Sequence, residues 1–383
     1  MISLKGNIVS DGKVVESAIG ISDGFVTPPG GEILDFSDHY IMPAFIELHA
    51  HGGGGYDFID NTPESFKAIF DTHLSHGVAT LCPTLCACDF DEMLRFLEFC
   101  RKTDEPGFAG VHLEGPFLSP EMCGAQNLSC IIEPTSGRIE ALSDYSDVIA
   151  RITAAPEVDG VYRLADSLHQ KGVRFSVGHS NADSAAVHEA FSHGFDSVTH
   201  LFCSTSGRHK LGSFVHGGVI EEALLSDCFV ELIGDGHHVS RESLLLTLKC
   251  KGTDHVCIVS DAMRAAGTTG QTESFLGAAK PENRVIIEDG VAKLPDRSSF
   301  AGSLAVGDTM VKALVGYGIG LPVISEMMSG TPARLLGLSD RGGLGIGMRA
   351  DITVLDRNFE TVLVFRKGEI VYKNRNLIRD RRL

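Results

Sequence analysis

The sequence predicts an α/β fold: a (β/α)8 TIM-like barrel carrying a small β-sandwich domain formed by both chain termini. Three observations predict it. Eight short apolar runs alternate with amphipathic helical stretches through the middle of the 383 residues. The two ends are instead rich in strand–turn–strand patterns. Polar residues of metal-ligand type follow the apolar runs repeatedly, as they would on the C-terminal rim of a barrel.

At the N-terminus, "IVSDGKVV" and "ISDGFVT" each place Asp-Gly between two strand-forming runs, a strong hairpin signal. The C-terminus repeats the style in "ADITVLD" and "TVLVFRKGEIVYKN". The strand candidates between them fall at 40–48, 78–82, 108–113, 148–155, 173–177, 196–200, 229–233 and 255–260. Helical stretches at 62–76, 90–102, 159–171, 182–193 and 240–250 separate most of them. Short buried runs alternating with helices imply parallel strands in βαβ units, and eight units imply a closed barrel. The segment 267–300 holds another hairpin, "VIIEDGVAKL", expected on the barrel rim or in the β domain. The expected domains are residues 1–42 with 343–383 for the small β unit and 43–342 for the barrel.

Net charge is −17, from 33 basic and 50 acidic side chains. That balance argues against a nucleic-acid or anionic-membrane surface. No run approaches the ~18 apolar residues of a membrane helix, and the first residues lack the apolar core of a signal peptide. Ten cysteines occur without a CxxC. They read as the reduced thiols of a cytoplasmic protein.

His49 and His51 end the first barrel run. Two apart on a strand, their imidazoles share one side, which suits chelation of one ion. Four glycines follow and let the backbone turn away closely. Glu47 lies on the same face, as a partner of the ligands or as a structural group. Glu114 ends the third run, His179 the fifth, His200 the sixth and Asp261 the eighth; Asp235 and His238 follow the seventh. A carboxylate at the end of an apolar strand is costly unless paired or metal-bound. Glu beside several histidines suits one or two divalent transition ions, zinc first, with iron, manganese or cobalt as alternatives, better than Mg or Ca. An aspartate beside such a centre can take a proton from water and return it to a leaving group; as a helix N-cap it would serve structure.

The blocks "MPAFIELHAHGGGGYDFID", "GVHLEGPFLSPEMCGAQ", "VGHSNAD", "THLF", "DGHHV", "SDAMRAAG" and "TPARLLGLSDRGGLGIGMRADITVLD" run in order along nearly the whole chain. Together they resemble the N-acetylglucosamine-6-phosphate deacetylase family of the amidohydrolase superfamily. The resemblance implies a metal-dependent barrel, usually a homodimer, that removes an acetyl group from a phosphorylated amino sugar. It implies a main metal site of Glu114, His179 and His200, and a second of His49 and His51. It makes Asp261 the catalytic aspartate and His238 a contact near the substrate carbonyl. It places Ala125 and the segment Phe300, Ala301, Gly302 against the sugar.

The chain departs from the family at three places. Gln126 stands where many members have His. Cys203-Ser204 stand where many have Asn-Ala. The Arg-Glu-Pro-Gly run that usually carries a phosphate ligand is absent; Arg208, His209 and Lys210 are the nearest cations, and Arg264 is another candidate. With Asp235 beside His238, these complete the expected substrate-contacting set. The departures touch substrate recognition and leave open N-acetylgalactosamine 6-phosphate or another N-acyl amino sugar. A cyclic amidase is disfavoured by Glu114 in the place of a carboxylated lysine. A non-catalytic scaffold is disfavoured by the complete ligand set.

Overall fold

A computed structural model describes residues 1–376. The last seven positions of the expected 343–383 segment, 377–383, lie outside the described residues.

Eight parallel strands form one sheet in sequence order: β1 Phe45–Ala50, β2 Val78–Leu85, β3 Val111–Glu114, β4 Ile149–Ala154, β5 Arg174–Val177, β6 Phe195–Val198, β7 Phe229–Ile233 and β8 Val256–Val259. A parallel bridge between Ala50 and Ala262 brings the first strand against the chain beyond the eighth, curling the sheet into a barrel. The helices that follow the strands include α1 Pro63–Ser75, α2 Phe90–Arg101, α3 Ser136–Ser143, α4 Val161–His169, α5 Ser184–Ser192, α6 Val219–Leu225, α7 Arg241–Lys251 and α8 Gly307–Gly316. Their starts follow local chemistry. Thr62 caps α1 by accepting from Ser65 N, with Pro63 at the first turn, and Asp183 caps α5 by accepting from Ala186 N. Apolar faces such as Val161, Leu164, Ala165 and Leu168 of α4 join the main core with Phe175 and Val177 of β5.

The expected first strand, 40–48, divides in two. Residues up to Pro43 end a long strand, Glu32–Pro43, of a different sheet. Proline has no amide hydrogen to continue that ladder, and Ala44 N turns to Asp351 O at 3.0 Å before β1 begins.

Strands from both ends form that other sheet, one hydrogen-bonded set of seven. Ile2–Ser10, Lys13–Ser22, Phe25–Thr27 and Glu32–Pro43 come from the N-terminal side. Ile352–Leu355, Thr361–Arg366 and Glu369–Lys373 come from the C-terminal side. Ile352–Leu355 pairs with Tyr40–Pro43, which joins the two ends of the chain. Leu4, Phe36, Ile41, Ile352 and Phe365 fill a core separate from the barrel's. The Asp-Gly turns are as expected: Asp11-Gly12 and Asp23-Gly24 all have positive φ, as a two-residue hairpin turn requires.

The 267–300 segment makes its own three-stranded sheet, Glu273–Phe275, Arg284–Glu288 and Val291–Lys293, apart from the sheet of the termini. Its Val285 and Ala292 pack with Met263, Ala265 and Ala301 at the end of the eighth barrel unit.

Candidate metal centre and active site

The strand ends converge on a cavity of about 310 Å³. Its lining includes His51, Glu114, His179, His200, His238 and Asp261, drawn from β1, β3, β5, β6, β7 and β8 or the turns after them. His179, His200 and Asp261 have φ of 46°, 29° and 50°. Such left-handed residues cost about 1–3 kcal/mol each and persist where surrounding structure demands them. Here the turn throws each side chain back over the barrel mouth.

Glu114 is the hub and is 2% exposed. Its Oε1 lies 3.1 Å from His179 Nε2 and 2.8 Å from His200 Nε2. It also lies 3.4 Å from His49 Nε2, and Oε2 lies 3.4 Å from His51 Nε2. Two buried three-residue groups therefore share this carboxylate: His49, His51, Glu114 and Glu114, His179, His200. Asp261 Oδ1 stands 3.1 Å from His51 Nε2 and 3.6 Å from His49 Nε2, and the two Nε2 atoms are 3.2 Å apart.

These distances test whether an ion fits. Donors held about 2.0–2.1 Å from one tetrahedral ion lie roughly 3.3–3.4 Å from each other. The separations around His49, His51, Glu114 and Asp261 run from 3.1 to 3.6 Å. Imidazole and carboxylate suit a divalent transition ion. Burial would raise the Glu114 and Asp261 carboxyls, yet the surrounding histidines outweigh it and hold both below the usual carboxylate range. Both oxygens therefore arrive ionised, ready as ligand or base.

His238 follows β7, and its ring packs 4.6 Å from that of Phe300. Its Nδ1 is 2.7 Å from Asp235 Oδ2, and Asp235 Oδ1 accepts from the His237 and His238 amides. Burial works against the charged imidazole, but the hydrogen bond and charge of Asp235 outweigh it, so His238 is pushed above its ordinary value.

The other expected contacts divide. Ala125, Gln126, Cys203, Ser204, Phe300 and Gly302 line the cavity. Gln126 is already committed: its Nε2 donates to Glu114 Oε2, and its Oε1 accepts from Ala87 N at 2.8 Å. Asp235 is not part of the lining and holds His238 instead. Ala301 is fully buried beneath the wall, packed with Met263 and Ala292. Arg264, expected as an anion ligand, is instead a strut. Its guanidinium forks onto Asp60 at 2.6 and 2.7 Å and reaches Gly277 O at 3.1 Å, tying the rim sheet to the loop after β1. Arg208 is exposed next to the short hairpin of His209–Leu211 and Phe214–His216, away from the lining. Among the described residues, no Lys or Arg side chain lines this cavity.

Sequence reasoning missed Cys86, whose Sγ is 3.1 Å from His51 Nδ1, and the lining residues Phe202, Ile233, Leu276 and Ser299. It also missed Arg151 and Glu231, an ion pair inside the barrel. Single charges in "VIARITAA" and "FVELI" were the available signal. Glu47, left open between two roles, accepts from His49 N at 2.9 Å and Ser260 N at 3.1 Å, bracing β1 against β8. Burial, only partly offset by these hydrogen bonds, pushes its carboxyl up to about 7.

The amidohydrolase family model matches residues 40–371. An N-acetylglucosamine-6-phosphate deacetylase from Rattus norvegicus is 30% identical, over 89% of this chain and 86% of its own. One from Lysinibacillus sphaericus is 29% identical, over 96% and 93%. Among solved structures, a mutant N-acetyl-D-glucosamine-6-phosphate deacetylase from Mycobacterium smegmatis, in complex with N-acetyl-D-glucosamine-6-phosphate, superposes with a TM-score of 0.89 at 27% identity. That match covers 97% of this chain and 99% of the other. Barrel, hub carboxylate and comparisons agree: the chain belongs to the amidohydrolase family and, within it, to the N-acetylglucosamine-6-phosphate deacetylases.

Proposed function

We propose that the protein hydrolyses the acetamide of N-acetylglucosamine 6-phosphate, giving glucosamine 6-phosphate and acetate. The observation that carries this reading is Glu114, shared between two buried histidine pairs with Asp261 beside them at the cavity floor. The centre takes two divalent ions in this reading, zinc first. A divalent ion bound there supplies Lewis acidity, which acidifies water and polarises an acyl oxygen.

The chain's own residues do the rest. Asp261, ionised, accepts a proton from the attacking water as oxygen adds to the acyl carbon. His238, protonated on both nitrogens with its Nδ1–H given to Asp235, donates Nε2–H to the developing oxyanion. Asp261 then passes its proton to the amine nitrogen, and the C–N bond breaks. Without that proton the amide nitrogen would leave as a very poor anion. Phe300, Phe202 and Leu276 give the sugar an apolar wall.

The phosphate needs a cation, and among the described residues of one chain none lines the cavity. We assign it to a second chain of a homodimer, with Arg208 on its exposed loop as the contact. We also take the protein as cytoplasmic; ten free cysteines support this, and no described helix is long and apolar enough to cross a membrane.

Acetate release tests the reading, with N-acetylglucosamine 6-phosphate, its galactosamine epimer and the unphosphorylated sugar as substrates. Highest kcat/KM on the first is expected. Arg208→Ala should then raise KM for the phosphorylated sugar and leave the unphosphorylated one unchanged. A metal-loaded enzyme inactive on all three would discard the substrate.

A further inference from the structure

His49 has neighbours on both ring nitrogens that decide where its proton sits. Its Nε2 faces Glu114, His51 and Asp261, where an ion fits. Its Nδ1 lies 3.2 Å from Glu231 Oε2 on β7. The other oxygen of Glu231, Oε1, is ion-paired with the Arg151 guanidinium on β4. All three side chains are 0–1% exposed. His112, whose ring packs edge-on 4.6 Å from His49, does not compete: its nitrogens meet Thr84 and Thr153 hydroxyls. Glu47 meets His49 at its backbone amide and not at its ring.

Neither Glu231 nor Arg151 reaches the cavity, and the deacetylation uses neither. Desolvating a carboxylate and a guanidinium in a barrel core can cost more than their attraction returns, and apolar side chains of the same volume can hold such a core as well. Barrel stability alone therefore does not account for the pair.

We propose that Glu231, itself held by Arg151, is a positioning residue that locks His49 in the Nδ1–H tautomer and so aims its Nε2 lone pair at the metal centre. Arg151 has only donors, so the oxygen facing it must accept. Ion-paired with the buried guanidinium, Glu231 is a carboxylate, and the His200 amide also donates to its Oε2 at 3.4 Å. As a carboxylate, Glu231 accepts at its other oxygen too, and His49 Nδ1 must donate. A neutral imidazole that donates from Nδ1 keeps its lone pair on Nε2. Carboxylate partners on the far nitrogen of a metal-binding histidine orient the ring and raise its basicity. The inference rests on the two-ion reading above.

The test is Glu231→Gln. The charged Arg151 still demands the oxygen and outweighs the long 3.4 Å contact of the His200 amide on the other side, so the amide turns its NH2 toward His49. His49 must then accept at Nδ1 and carry its hydrogen on Nε2, where it blocks the ion. Elemental analysis of folded, zinc-loaded protein should find two ions in the wild type and one in the variant. Zinc affinity at the lost position should fall about 10–100-fold. A second variant, Glu231→Leu with Arg151→Met, replaces the pair with apolar volume and leaves His49 Nδ1 with no acceptor. It should fold and show the same loss, and it decides the matter if Glu231→Gln does not fold. Two ions at wild-type affinity in either folded variant would overturn the inference alone. One ion in the wild type would overturn the two-ion reading and the inference with it.

Discussion

At the scale of the residue, the chemistry turns on where protons sit. With Asp235 accepting from Nδ1, a neutral His238 has a bare Nε2 and cannot donate to an oxyanion; only the protonated ring can. Its pKa is raised, so the donor persists above the ordinary imidazole value of about 6.5 and is lost as pH rises through the shifted value. The kcat/KM profile should therefore fall on its alkaline side. In Asp235→Asn that limb should move to lower pH, because the hydrogen-bonding anion is gone. A limb that stays put would remove His238 from the reaction. Asp261→Asn should cut kcat by about 10²–10⁴-fold, the usual worth of a positioned acid–base group, while Glu114, His179 and His200 still hold metal. Near-normal acetate release from that variant would exclude Asp261 as the proton carrier. The places of Glu114, His179, His200 and Asp261 around one cavity were legible in the sequence because each ends an apolar run, whereas the roles of Asp261 and His238 came from the family resemblance. Glu231 and Arg151 were not legible, because a lone charge inside a strand reveals its partner only when the barrel order sets β7 and β4 across the same core.

At the scale of the element, the strands declared themselves and the ties between them did not. Apolar runs bounded by turns located seven of the eight barrel strands, and Asp-Gly pairs located the two N-terminal hairpins. The one strand misjudged, at 40–48, failed at Pro43, where two sheets meet without any break in hydrophobicity. Arg264 was misjudged for a related reason. Its partner Asp60 lies 204 residues earlier, and nothing in "SDAMRAAG" distinguishes a strut from an anion ligand. As a strut it holds the rim sheet, which supplies Leu276 to the cavity wall. Removing one partner of a well-buried ion pair costs about 3–5 kcal/mol; this pair keeps some solvent contact, so the cost here should be smaller. Arg264→Met should lower the denaturant midpoint and raise KM more than it lowers kcat, because the wall moves while Asp261 and Glu114 stay. A variant with unchanged stability but lost discrimination between phosphorylated and plain sugar would restore Arg264 as an anion ligand.

At the scale of the whole molecule, the barrel mouth gathers side chains that could hold an ion between them. Glu114 and Asp261 add like charge within a few ångströms, and four imidazoles crowd the same space. Among the described residues, His200 Nδ1, on the far side of its ring, has no hydrogen-bond partner. The ligands come from strands spread around the circumference, from β1 to β8, so an ion bound among them clasps the barrel at its open end. Binding to the folded state alone adds about 4 kcal/mol at a thousandfold excess over Kd. For a chain of 383 residues each kcal/mol is worth only about 1.2 °C in Tm. Chelation should therefore lower Tm by roughly 5 °C for each tight ion. Zinc should restore it, and a thermal melt before and after chelation and re-addition measures both. Glu114→Gln removes the charge both groups share, so it should melt close to the chelated wild type and respond little to zinc. A wild type whose melting ignores chelation, with metal shown by elemental analysis to be gone, would mean that the hydrogen bonds of Glu114 to Gln126, His179 and His200 hold the mouth unaided. The ion would then serve the chemistry and not the fold.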